Sequence, residues 1–163
     1  MYHIKKILNL KSNRLFTQAL RASDAKKLFE FYSEKEAMKF RGSKPMETID
    51  DAHEMINNQA YESNEATYHR TGLRLIDNNH LIGTLLLKFK NDKSVEIGFS
   101  YGQSYWNQGF ASETCDMLES YFQQDNKIEK ITAWCKKENF ACGRMATIYR
   151  NRNHISKRNR SLA

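Results

Sequence analysis

The spacing of apolar residues changes period several times along this chain of 163 residues, and each change marks an element. From 94 to 101 the pattern alternates, with Val95, Ile97 and Phe99 set against Glu96, Gly98 and Ser100. A repeat of two is the signature of a strand. Gly102 and Gly109 then interrupt it, and Ser112 stands where a helix cap would. Cys115, Leu118 and Phe122 follow at helical spacing, which predicts a helix over 112–124. Upstream, 13–21 reads as a strand. Ser23 is the expected cap of a helix carrying Ala25, Leu28, Phe29 and Tyr32 on one face. Residues 42–45 contain Gly42 and Pro45 and break the chain. Thr48 caps a second helix, with Asp50 and Asp51 in its first turn and Ala52, Met55 and Ile56 on one face. Strands are expected over 67–76, 81–89 and 128–135, with polar turns at 77–79 and 91–93.

The predicted order is strand, two helices, three strands joined by short turns, helix, strand. Two- and three-residue turns require antiparallel hairpins. A helix between two neighbouring strands requires a parallel crossover. The expected fold is therefore α/β with a mixed, mostly antiparallel sheet flanked by helices.

Composition narrows this reading only a little. Hydrophobic residues make up 40% of the chain, enough for one packed domain. The longest apolar run, 81–87, is too short to span a bilayer, and no apolar stretch of a signal peptide follows Lys5 and Lys6. The expectation is a cytoplasmic protein without a membrane partner. Cys115, Cys135 and Cys142 lack metal-ligand spacing, and His3, His53, His69, His80 and His154 are scattered, so no metal is expected. The net charge of +7 is local. Arg144, Arg150, Arg152, Lys157, Arg158 and Arg160 supply all but one unit of it, and 143–163 has no acid. A nucleic-acid partner is expected only through that tail, with a solvated chain end as the other reading.

Candidate chemistry concentrates in 95–113. A small-residue loop that enters a helix offers unpaired N–H groups and the positive end of a dipole, which together bind anions, phosphate above all. No Gly-Lys-Ser/Thr follows, and Gly-x-Gly-x-x-Gly does not occur, so neither a kinase-type phosphate loop nor a dinucleotide fingerprint is present. The run Tyr105-Trp106-Asn107-Gln108-Gly109-Phe110-Ala111-Ser112-Glu113 resembles the pyrophosphate loop of the GNAT superfamily of N-acetyltransferases. It is most similar to the branch that includes the ribosomal-protein N-terminal acetyltransferases (RimJ/RimL-like). Trp106 stands where the wider superfamily has Arg or Gln, as is usual in that branch. The order of elements over about 14–142 resembles the same fold.

The resemblance implies acetyl-CoA as co-substrate and a primary amine as acceptor, either a protein N-terminus or a small molecule. It implies that Trp106 and the amides from Asn107 to Ser112, including Gln108, Gly109, Phe110 and Ala111, hold the pyrophosphate. Phe99, Ser100 and Tyr101 would offer backbone groups to the pantetheine and the acetyl carbonyl. Gly98 would mark a bulge that splays the strand. Glu96 is the candidate base, and a strand glutamate paired with a nearby lysine is the equal alternative. Glu113 reads as a structural, dipole-complementing residue. Phe40 and Arg41 fall where the branch shapes its acceptor pocket, and Arg41 would attract a carboxylate; a plain surface arginine is the alternative. Asn139 would contact the cofactor. Cys142 replaces the serine that protonates the leaving thiolate.

The C-terminus departs from the family. The Lys-x-Gly-Phe motif is absent, and too few residues follow Asn139 for a helix of about 11 residues and two strands of about five. The domain is therefore placed at 1–142, with an atypical basic segment at 143–163 and a last hairpin that is missing or altered. Residues 151–163 show no alternation. The strand at 128–135 is then expected to keep an open edge, which invites a homodimer. Two functions stand: an acetyl-CoA-dependent N-acetyltransferase, or a degenerate GNAT domain that binds CoA or a partner without turnover, with RNA on its basic tail.

Overall fold

A computed structural model describes residues 7–39, 41, 43–62, 66–125, 127–134 and 155–158. Strand β1 (Leu15–Gln18) leads through a turn of 3-10 helix at Ala22–Asp24 into α1 (Ala25–Ser33) and the short α2 (Lys35–Met38). Helix α3 (Ile49–Asn57) follows, then β2 (Ala60–Glu62), β3 (Ala66–Leu75), β4 (Leu81–Lys90) and β5 (Ser94–Tyr101). Helix α4 (Phe110–Asp125), β6 (Lys130–Trp134) and β7 (Ile155–Arg158) complete the described chain.

The strands form one sheet in the order β1-β3-β4-β5-β6-β7, with β2 also paired to β3. Pairing is antiparallel from β1 to β5 and parallel from β5 to β7. The mixed, mostly antiparallel sheet is the one expected. Hairpin turns at Asn79 and Lys93 use left-handed backbone, with φ of 60° and 59°. Asparagine adopts that conformation at low cost.

Both faces of the sheet are covered. On one, Ile82, Leu85, Leu87, Val95 and Ile97 pack with Phe110, Leu118 and Phe122 of α4. On the other, Leu81 joins Leu28, Phe31, Tyr32, Ala52 and Ile56 from α1 and α3. Each large apolar side chain sealed this way contributes roughly 1.5–3 kcal/mol. The two layers hold β4 and β5 rigid between them, and the candidate site grows from the end of β5. Among the described residues, no helix is long and apolar enough to cross a membrane.

Several expectations are corrected. The cap of the first helical segment is not Ser23: the Asp24 carboxylate accepts the Arg21 N–H at 2.8 Å, and Arg74 grips the same oxygen at 2.6 Å. Asp24 is the residue before α1, and its side chain makes no cap bond to that helix. Helix α4 starts two residues before Ser112, at Phe110, because Gly109 can take the left-handed turn that begins it. No bulge occurs at Gly98. The β4–β5 register runs unbroken from Gly83–Tyr101 to Phe89–Val95, and the bulge lies instead between β3 and β4, at Leu73 and Arg74. Residues 155–158 do form a strand, and β7 occupies the edge of β6 from Ile131–Ile155 to Trp134–Arg158. That edge is not open, so the ground for a dimer through it is removed. Strand β7 runs parallel to β6. Thr48 does cap α3, with Asp51 accepting its N–H at 3.0 Å.

Candidate active site at the end of strand β5

Strand β5 outruns its neighbour. Its parallel pairing with β6 extends from Ser94–Lys130 to Ile97–Ala133, and β5 then continues to Tyr101. Among the described residues, Gly98 to Tyr101 have no strand partner on that side. Unpaired backbone donors and acceptors at a strand end are what an extended, amide-bearing arm can pair with.

The loop beyond is shaped by its own backbone. The N–H of Tyr105 bonds to Gly102 O at 2.9 Å, and that of Trp106 to Gln103 O at 3.1 Å. Asn107 and Gly109 then take left-handed φ values of 58° and 81°. The Glu113 N–H donates to Gly109 O at 3.0 Å, which is the first bond of α4. The amides just before it precede the helical ladder, as helix starts require. The loop leads into the N-terminus of a 16-residue helix, at the positive end of its dipole.

Side chains from both ends of the site lock that loop. The Tyr101 hydroxyl donates to Phe110 O at 3.1 Å and pairs with the Thr114 hydroxyl, so β5 is tied to the first turn of α4. Burial pushes this phenol well above its ordinary range. Trp106 folds back and donates its indole N–H to Tyr101 O at 2.9 Å. Gln108 donates to Ser104 O at 2.8 Å. Phe110 is buried, Phe99 packs beneath it in the core, and Ala111 lines the same layer.

A further clamp was invisible in the sequence. Glu113 accepts three hydrogen bonds at 2.7 Å, from the Ser12 hydroxyl, the Arg14 N–H and the Arg14 guanidinium. Arg14 also donates to Gln108 O at 3.0 Å and lies 4.3 Å over the Phe110 ring. The structural reading of Glu113 is therefore the right one, with a partner 99 residues away. Burial would raise its carboxyl, but the bonds from Ser12 and Arg14 outweigh that and hold it below the ordinary 4.5. A depressed native value adds stability that is present above pH 4.5 and is lost as pH falls through the native value. We expect Glu113→Gln to cost about 2 kcal/mol near neutrality, as loss of charge-assisted bonds does. Urea unfolding at pH 3 to 6 should also show a flatter acid limb in the variant. An unchanged limb would assign acid sensitivity elsewhere.

The remaining candidates are distributed unevenly. Glu96 shares a face of β5 with Gly98 and Ser100, and its carboxylate is paired with Lys90 Nζ at 2.9 Å. Arg41 is half-buried rather than a plain surface residue: it donates to Tyr101 O at 3.3 Å, and its guanidinium lies 4.6 Å over the Tyr32 ring. Ser112 sits inside the first turn of α4. Phe40, Asn139 and Cys142 lie outside the described residues. Cys115 is buried against the sheet, and burial pushes its thiol up to about 12, which leaves it inert. Among the described residues, no group of three His, Cys, Asp or Glu side chains could hold a metal ion.

Known proteins share this arrangement. The family model described as an acetyltransferase (GNAT) domain matches residues 14–148. The uncharacterized N-acetyltransferase YoaA of Bacillus subtilis is 29% identical over 138 residues, covering 83% of this chain and 78% of its own. A GNAT-family acetyltransferase from Bacillus anthracis superposes with a TM-score of 0.72 at 24% identity, over 85% of this chain and 80% of that one. RimL, a ribosomal-protein alpha-N-acetyltransferase solved with coenzyme A, superposes at 0.67 with 15% identity, over 87% of this chain and 81% of its own. With the loop, the strand end and the sheet order all in place, the chain belongs to the GNAT acetyltransferases.

Proposed function

We propose that the protein is an acetyl-CoA-dependent N-acetyltransferase acting on a primary amine, a protein N-terminus or a small molecule, by direct attack. The observation that carries this reading is the junction of the unpaired end of β5 with the left-handed loop Asn107–Gly109 at the start of α4. Three features suit the cofactor. Amides at the helix start face an anion. Gly109 leaves the loop without a side chain where phosphate oxygens would approach. Among the described residues, the backbone of Gly98 to Ser100 has no strand partner toward β6, which suits the amide groups of a pantetheine arm.

Acetyl transfer forms a nitrogen–carbon bond and breaks a carbon–sulfur bond. The attacking amine must lose a proton, and the departing thiolate must gain one. The chain's share is to position the reactants and to aim a backbone N–H at the acyl oxygen. The backbone of Phe99–Tyr101 supplies that donor. Proton transfer is assigned to Glu96 and Cys142. Glu96 must leave Lys90, or pass protons through water, to serve.

The Glu96–Lys90 pair also favours a second reading, a GNAT domain that binds CoA without turnover. Calorimetry with acetyl-CoA, followed by thiol release with a panel of amines and N-terminal peptides, separates the two. Micromolar binding with turnover on at least one acceptor is expected. Absence of binding overturns both readings, and binding without turnover supports the second.

A further inference from the structure

A cluster beside the site joins the α1 layer to the end of β5. Tyr32, in α1, is buried with its hydroxyl 2.6 Å from the Thr84 hydroxyl on β4. Arg70, on β3, donates one N–H to that phenol at 3.2 Å. Arg41 covers the ring from the other side at 4.6 Å. Thr84 is directly opposite Ser100 in the sheet, so the cluster adjoins the end of β5.

Among the described residues, neither guanidinium is in an ion pair, and the single side-chain bond of Arg70 goes to a neutral phenol. Burial lowers Arg41 from its ordinary value; Tyr32 opposes that, the Arg70 charge adds to it, and Glu34 opposes it more weakly. Tyr32 responds to the same positive field. Burial would raise its phenol, yet Arg70, Arg41 and the neighbouring hydroxyls pull it below the usual range. Two like charges held half out of water are costly unless an anion joins them.

The same face of the sheet carries a residue without a side chain, Gly98. Arg70 is opposite Leu86, and Leu86 is opposite Gly98, which places all three in one row across the sheet. Among the described residues, a Cβ on Gly98 would meet only Leu86 Cβ, at 4.0 Å, so no described side chain crowds the row above Gly98. Two strand spacings, about 10 Å, separate the Arg70 backbone from that of Gly98. The guanidinium reaches inward over part of that span. An acceptor with its amine at the β5 edge would then lay a group a few bonds away between Arg70 and Arg41.

We propose that the acceptor carries an anionic group, a carboxylate or a phosphate, close to its reacting amine, and that Arg70 and Arg41 bind it beside Tyr32. Arginine suits both anions through paired N–H donors. The inference rests on the acetyltransferase reading and names the acceptor class for that site. A polycationic amine would meet the same two charges as repulsion.

The test is calorimetry on the CoA-saturated protein. 4-Aminobutanoate is compared with butylamine, and O-phosphoethanolamine with ethanolamine, so that the two pairs distinguish carboxylate from phosphate. Spermidine serves as the cationic control. At least one anionic amine should bind about tenfold or more tightly than its neutral partner, and spermidine no better than butylamine. Arg70→Gln should erase the preference with CoA affinity unchanged, and Arg70→Lys, which keeps the charge without the fork, should restore part of it. Matching thermal midpoints would show that both variants fold. Equal affinities within both pairs, no binding of either anion, or a preference that survives Arg70→Gln overturns the proposal. Failure of CoA to bind in the first titration overturns the acetyltransferase reading instead.

Discussion

Valine at position 109 should reduce acetyl-CoA affinity by roughly a hundredfold or more, while the sheet stays folded. Gly109 has a φ of 81°, a region that costs an L side chain roughly 1–2 kcal/mol and a β-branched one more. The new side chain would also stand over the amides at the start of α4 and 3.5 Å from Arg14 Nη2. Losing two charge-assisted bonds to phosphate, at roughly 1.5–3 kcal/mol each, is enough for a hundredfold effect. Gly109→Asn separates strain from obstruction, because asparagine tolerates left-handed backbone. If Gly109→Asn keeps the wild-type thermal midpoint and still binds weakly, obstruction is the cause. Normal calorimetric binding by Gly109→Val would move the cofactor away from this loop.

Alanine at position 83 should destabilise the protein by about 3 kcal/mol, a large effect for one added methyl. A Cβ there would lie 2.2 Å from Ser100 O and 2.9 Å from the Tyr101 ring. The obstructing atom is backbone, held in register by β4 and β5, so it cannot swing away. Relief requires the end of β5 to move, and that is the strand end on which the candidate site is built. The expected result is a lowered urea midpoint with an unchanged slope, together with weaker acetyl-CoA binding than the loss of folded protein explains. Wild-type stability in Gly83→Ala would show that the β4–β5 pair is looser than its register implies.

The two glycines illustrate how much of the site was legible beforehand. Gly109 was readable because a loop before a helix, with small residues at set positions, has a local meaning. Gly83 was not, since its constraint comes from a strand whose Tyr101 pairs with it 18 positions further on. The same division runs through the fold. Strands β3 to β5 and the helices have periodic cores several turns or pleats long, so their positions followed from pattern. Strand β2 has three residues and β7 four, too short for a period to emerge, and both form because a neighbouring strand offers an edge. Ser23 and Asp24 are both good capping residues. Arg74, from a distant strand, pairs with Asp24, a contact no local pattern predicts.

The sequence by itself determined the mixed sheet, the anion-binding loop and the resemblance that led to acetyl transfer, because each depends on neighbours within a few residues. Tertiary structure alone decided what surrounds them. It set Arg14 and Ser12 on Glu113, tied Glu96 to Lys90, and gathered Tyr32, Arg41 and Arg70 at the end of β5. Those contacts join residues from separate elements, and their energies depend on burial and on charges brought close by the sheet. Periodicity carries no record of such distances, so the loop before α4 could be read along the chain and these contacts only across it.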